Sequence, residues 1–160
     1  MRSEQTMASG AATTTGVYPK RAGTFLVTGD PAFGLFPTGH AAMVTSQASV
    51  IEAVPSGGVK WGSNNWDRVK TEVWGATVIG TTIAQDAAAA SWSKRQVGKP
   101  YNWVQTNVGR RDALYCSQLV WAAFKDTRGI SLDTSSYGAA IHPFELVVSS
   151  RTRTIYHIRK

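Results

Sequence analysis

The sequence predicts a single α+β domain in which a mostly antiparallel sheet packs against two helices. Three observations carry this. About five short runs rich in β-branched and aromatic residues are separated by Gly, Pro and polar clusters. Two longer segments have helix-capping starts, helix-favouring interiors and Gly stops. The 160 residues are enough to bury one hydrophobic core, and no stretch repeats at the roughly 20–50 residue periods of solenoids or propellers.

Met1 to Gly16 are almost wholly Ser, Thr, Ala, Gly and polar residues, too poor in apolar side chains to offset the entropy of ordering them. A flexible leader is expected over residues 1–20, and the domain over residues 21–160. Ala22 to Thr28 (AGTFLVT) reads as a strand, and Pro31, Gly34, Pro37 and Gly39 as the loop after it. His40–Thr45 and Ser49–Val54 are two apolar runs around Ser46, Gln47 and Ala48, a hairpin whose second strand ends at Pro55, Gly57 and Gly58. Trp66–Lys70 suits one helical turn, and Thr71–Ile79 a further strand interrupted by Gly75.

Thr82–Val97 predicts a helix capped by Thr81 or Thr82, favoured by Ala87–Ala90, and stopped by Gly98 and Pro100. A second helix is expected from an Asp112 cap to about Asp126, with Gly129 beyond it. Cys116, Leu119, Val120, Ala123 and Phe124 would form its one buried stripe. Thr154–Ile158 reads as a last strand returning to the sheet.

Composition narrows the class. Apolar residues make up 42% and charged residues 17%, which excludes wholesale disorder. The longest apolar run, Leu119–Phe124, falls far short of the roughly 20 residues of a membrane span. The net charge of +7, with Arg151, Arg153, Arg159 and Lys160 near the end, suits an anionic partner or simply a basic surface. The leader lacks the apolar stretch of a secretory signal, and one cysteine cannot report a redox compartment. Compartment therefore stays open, with cell envelope or exterior if a signal has been removed and cytoplasm otherwise.

Cys116 falls near the start of its helix, where unpaired N–H groups and the helix dipole favour a thiolate. On the segment alone such a cysteine is more often a small buried hydrophobe. Of three histidines, His142 before Pro143 and His157 in the basic end read as turn and surface residues. His40 opens the hairpin, and a register placing it opposite Glu52, with Val44 opposite Ala48, lets that carboxylate orient the imidazole and leave its other nitrogen for Cys116. A one-residue change of loop length would instead put the two on opposite faces. One Cys and three scattered His give no metal-ligand spacing, and no nucleic-acid motif interleaves the basic residues. No cofactor is expected.

GKPYNW at Gly98–Trp103, YCSQLVWAAF at Tyr115–Phe124, HPFEL at His142–Leu146, and GHAAMV with VIEAV within Gly39–Val54 resemble the NlpC-type papain-like cysteine hydrolases. Histidine precedes cysteine, as in the circularly permuted YiiX/YebB-like group related to lecithin:retinol acyltransferase-like proteins. The resemblance implies a permuted papain-like fold, an antiparallel sheet packed against the helix that carries the nucleophile. It makes Cys116 the nucleophile, His40 the base and Glu52 the residue that orients the base. Tyr101 would line the oxyanion site, and Tyr115 and Ser117 are placed with it among the oxyanion and substrate-binding positions. Wall endopeptidases usually carry Asp before the cysteine and Gly two after it; this chain has Tyr115 and Gln118.

The expected activity is thiol-dependent cleavage of an amide or peptide bond, in cell-wall peptide or a related acyl substrate, through a Cys116 thioester. The alternatives are a lipid acyltransferase or thioesterase and a basic wall-binding module without turnover; apolar loops near Phe33, Phe36, Trp61 and Trp66 would serve either enzyme reading or be plain core.

Overall fold

The computed structural model describes residues 12–30 and 39–160. The loop residues 31–38, with Phe33 and Phe36, and residues 1–11 of the expected leader lie outside the described residues.

The fold is α+β. Among the described residues a seven-stranded sheet runs in the order β1-β7-β6-β2-β3-β4-β5, with every neighbouring pair antiparallel. The strands are β1 (Thr13–Gly16), β2 (Phe25–Thr28), β3 (His40–Val44), β4 (Ser49–Val54), β5 (Gly58–Ser63), β6 (Glu72–Val78) and β7 (Thr152–Arg159). Four helices accompany them: α1 (Trp66–Val69), α2 (Ile83–Lys94), α3 (Cys116–Arg128) and α4 (Glu145–Val148). None is long and apolar enough to cross a membrane.

The central strands β2 and β3 are buried on both faces, so they read as continuous apolar runs rather than alternating ones. Phe25, Val27, Ala41, Met43, Ile51 and Ala53 meet α3 in the larger core cluster. The alternate residues Leu26, Ala42, Val44 and Val50 join Trp66, Val73, Tyr156 and Ile158 in a second. Helix α2 lies against α3 and begins with a reciprocal cap: Thr82 Oγ1 accepts from Gln85 N–H at 3.1 Å, and Gln85 Oε1 accepts from Thr82 N–H at 3.0 Å. Of the two threonines proposed as caps, Thr82 is the one; Thr81 donates instead to the buried Asp86 carboxylate, which also pairs with Arg21.

Several expectations are corrected. The leader does not extend to residue 20: Thr13–Gly16 pair with β7, Tyr18 stacks edge-on against Tyr156, and Pro19 is buried. Backbone pairing with a partner some 140 residues away orders a stretch that offers little apolar surface of its own. Strand β5 was not expected, because KWGS has little apolar content; a tight turn closing on Gly58, at φ +67, folds it back on β4. The last strand runs longer than expected, and α4 is additional. Helix α3 starts at Cys116 rather than after Asp112, which is exposed and bound to Arg110 at 2.7 Å. Its first nine residues, Cys116–Phe124, are all buried, so this half of the helix has no solvent face and exceeds the single stripe expected.

Candidate active site

Cys116 is the first helical residue of α3. Tyr115 before it is extended, at φ −104 and ψ 174. The sulfur therefore sits at the positive end of the helix, beside N–H groups that have no acceptor within the helix. Gln118 builds this helix start. It is fully buried, and its Oε1 accepts from Tyr115 N–H and from Asn102 Nδ2, each at 3.0 Å. Its Nε2 donates to the carbonyls of Val108 at 3.2 Å and Arg110 at 2.9 Å. One side chain here satisfies groups on three segments.

His40 opens β3 where the two core clusters adjoin. It is 2% exposed, its ring stacks on Trp66 at 5.3 Å between centroids, and it senses Cys116 of the larger cluster. Nε2 meets Glu52 Oε1 at 2.7 Å. The approach is diagonal rather than directly opposite: the β3–β4 ladder is centred on Gln47, the middle of the loop, so Met43 faces Ile51 and Val44 faces Val50. The shift from the expected register is even, so His40 and Glu52 keep the same face, and a diagonal pair remains within reach of long side chains.

The electrostatics follow. Burial would push the His40 imidazole down, but the Cys116 sulfur and the Glu52 carboxylate outweigh it and raise the ring to about 9. Burial likewise opposes ionisation of Glu52, and His40 with Lys60 and Lys70 holds its carboxyl below the usual carboxylate range. Among the described residues Nδ1 of His40 is buried without a hydrogen-bond partner, although the sulfur is near enough to act on the ring. Long or poorly aligned resting contacts of this kind tighten when substrate binds. Gly62 on β5 makes room for the acid, since a Cβ there would run into Glu52 Oε2.

Tyr101 is brought to the same place. It bridges Leu114, is 5% exposed, and burial together with the nearby Cys116 raises its hydroxyl above the usual phenol range. The hydroxyls of Tyr115 and Ser117, expected among the oxyanion and substrate-binding positions, bond to backbone groups. Tyr115 Oη donates to the Gln105 carbonyl at 2.8 Å and accepts from Ile141 N–H at 2.9 Å, and Ser117 Oγ donates to the Ile141 carbonyl at 2.5 Å. They fasten the segment around Ile141 to the start of α3.

Trp66, Gln118, Asn102 and Gly62 were not singled out from the sequence as parts of this site. Trp66 and Gln118 each carried a signal, as an aromatic opening a short helix and as the departure two residues after the cysteine. A second histidine–carboxylate pair, His157 Nε2 to Glu72 Oε2 at 2.7 Å, stacks on Trp74 but lies on β6 and β7 without a thiol. An open cleft of about 570 Å³ between residues 16–21 and Arg153–Ile155 contains none of the site groups. Neither a His–Glu pair nor concavity marks the site; the juxtaposition of thiol, imidazole and acid does.

Comparison with known proteins identifies the fold and the family. Over 123 residues the chain is 36% identical to the uncharacterized protein YycO of Bacillus subtilis (strain 168), a match covering 75% of this chain and 49% of that protein. The chain thus spans about half the length of that curated relative. Its fold is similar to the crystal structure of metalloprotein YiiX from Escherichia coli O157:H7, with a TM-score of 0.65 and 19% identity, covering 85% of this chain and 96% of that one. The profile of the permuted papain-like amidases, YaeF/YiiX, C92 family, matches residues 30–142, a span that includes His40, Glu52 and Cys116. With more than half of its length matched, the chain belongs to the permuted papain-like amidase family C92.

Proposed function

We propose that this protein is a thiol-dependent amidase that works through a thioester on Cys116, with His40 as the proton carrier and Glu52 as the acid that orients it. The observation that carries the proposal is the buried His40 ring, bound to Glu52 through Nε2 and with Nδ1 left for a sulfur at a helix N-terminus. The family's description as amidases supports an amide as the bond cleaved. The cell-wall peptide expected from the sequence is not part of the proposal.

With the thiol proton held on His40 Nδ1, the sulfur attacks the amide carbonyl carbon, forming the C–S bond. The backbone N–H of Cys116 and the Tyr101 hydroxyl face the oxyanion, where each well-placed donor is worth about 3–4 kcal/mol. His40 returns its proton to the amide nitrogen as the C–N bond breaks and the amine leaves. Water then attacks the thioester, gives a proton to Nδ1, and releases the acid and the thiol.

The similar YiiX protein is described as a metalloprotein. Among the described residues of this chain no three His, Cys, Asp or Glu side chains converge as a metal set, and no step above is routed through a metal.

The test is iodoacetamide alkylation of Cys116 as a function of pH, paired with mass mapping of an electrophilic acyl probe. The proposal expects labelling at Cys116, a rate that stays high well below pH 8, and a fall in the His40→Ala variant. A rate that follows an ordinary thiol, near pKa 8.5, in both proteins overturns it.

A further inference from the structure

The segment after Tyr101 presents two large apolar side chains to water. Trp103 is 61% exposed and Val104 is 55% exposed. An exposed tryptophan gives up a large favourable burial, which makes it informative where it stands beside reactive groups on a rigid support. The Trp103 ring meets the Tyr101 ring at 5.2 Å with an interplanar angle of 66°, and Tyr101 is itself next to Cys116.

The support is rigid and tied to the nucleophile. Asn102 has no exposed surface; its Nδ2 donates to Gln118 Oε1 at 3.0 Å and to the Asn107 carbonyl at 3.1 Å, and its Oδ1 accepts from Val104 N–H at 3.0 Å. Gln118 belongs to the first turn of α3, two residues after Cys116. The backbone that carries the indole is therefore tied to the start of α3 by the same hydrogen bonds that shape it, and the indole itself rests on the Tyr101 ring. A surface ordered before its ligand arrives avoids much of the entropy cost of binding.

We propose that Trp103, with Val104 beside it, docks the apolar acyl part of the amide attacked by Cys116, and this rests on the amidase reading above. The orientation comes from the proton path. His40 must face the leaving nitrogen to protonate it, so the amine half lies on the His40 side. The carbonyl oxygen turns to the Cys116 N–H and Tyr101, and the acyl chain continues past Tyr101 onto the indole. The substrate class is thus an amide of an aliphatic or aromatic carboxylic acid, with less demand on the amine.

The experiment measures binding of acetamide, hexanamide and N-hexylacetamide to Cys116→Ala protein by calorimetry, with and without Trp103→Ala or Trp103→Phe. Hexanamide should bind about tenfold or more tightly than acetamide, N-hexylacetamide should gain little, and Trp103→Ala should reduce the hexanamide-to-acetamide ratio to within about threefold, while Trp103→Phe keeps most of it. Absence of a hexanamide preference, a ratio untouched by Trp103→Ala, or a preference for N-hexylacetamide overturns the proposal. The amidase reading is judged separately by turnover: if protein with Cys116 intact releases no more acid from hexanamide than the Cys116→Ala variant, that reading fails, whatever the binding ratios.

Discussion

Replacing Glu52 with glutamine keeps the shape of the side chain and a neutral hydrogen bond to His40 Nε2 but removes the charge. In the wild-type protein the imidazole is held near 9 against an ordinary 6.5, so its protonated form is favoured by roughly 3 kcal/mol, at about 1.4 kcal/mol per pH unit. Burial opposes that preference, and the Cys116 sulfur and the Glu52 carboxylate together supply it. A charge-assisted hydrogen bond contributes ~1.5–3 kcal/mol and a neutral one ~0.5–1.5 kcal/mol, so the exchange removes ~1–1.5 kcal/mol. That moves the His40 titration down by about one pH unit, to about 8.

The sign of the stability change follows from linkage. The folded-state value of His40 lies above the unfolded one, so its stabilisation is complete below about 6.5 and is lost as pH rises, through about 9 in the wild type and about 8 in Glu52→Gln. Glu52 works in the opposite sense. Its carboxyl is held below the ordinary range, so its share is present above that range and is lost as pH falls through the depressed value. The wild-type advantage over the variant is therefore greatest around neutral pH and shrinks at both ends. Titration of the His40 ring carbons by NMR, with denaturant unfolding at several pH values, measures both. A wild-type ring titrating near 6.5, or one whose titration is unchanged by Glu52→Gln, refutes the reasoning.

Three further outcomes are expected. In Gly62→Ala the new methyl pushes the Glu52 carboxylate off His40, so stability falls by ~1–3 kcal/mol and alkylation of Cys116 below pH 8 slows; equal alkylation rates would show that the acid does not act through His40. Gln118→Leu leaves the Tyr115 N–H and an Asn102 amide N–H without their acceptor, while the Val108 and Arg110 carbonyls keep Arg111, and costs about 3 kcal/mol, a melting temperature lower by ~6–12 °C, which thermal unfolding by circular dichroism checks. Gly75→Ala drives a methyl into the Pro19 ring and to 3.2 Å from Tyr156 Cβ, and costs ~1–3 kcal/mol in denaturant unfolding; Pro19→Ala in the same chain restores part of it.

Most of the fold was legible because its signals are local. The hairpin loop Ser46–Ala48, the Thr82 cap and the Gly129 stop each lie within a few residues of what they determine, and each is found where expected. What escaped depends on distant partners. Thr13–Gly16 have no strand signal apart from β7, and Gly75 reads as a weak point in a strand until Pro19 is seen lying against it. The start of α3 was misplaced because Asp112 is a good cap by type, whereas the true start is fixed by Gln118 reaching back to Tyr115 and across to Asn102. At the site, His40 and Glu52 were paired from sequence by face but not by register, and an even shift preserved the contact.

The position of β7 bears on how the molecule assembles. It lies between β1 and β6, so the outermost strand on that side touches the sheet only through residues near the other end of the chain. During synthesis the first strand emerges long before the neighbour it needs, and its loop closes only after more than a hundred intervening residues have been made. Such remote pairings are slow to form. The hairpin holding His40 and Glu52 closes over a dozen residues and can be ready early, well before the helix that carries Cys116 has been made.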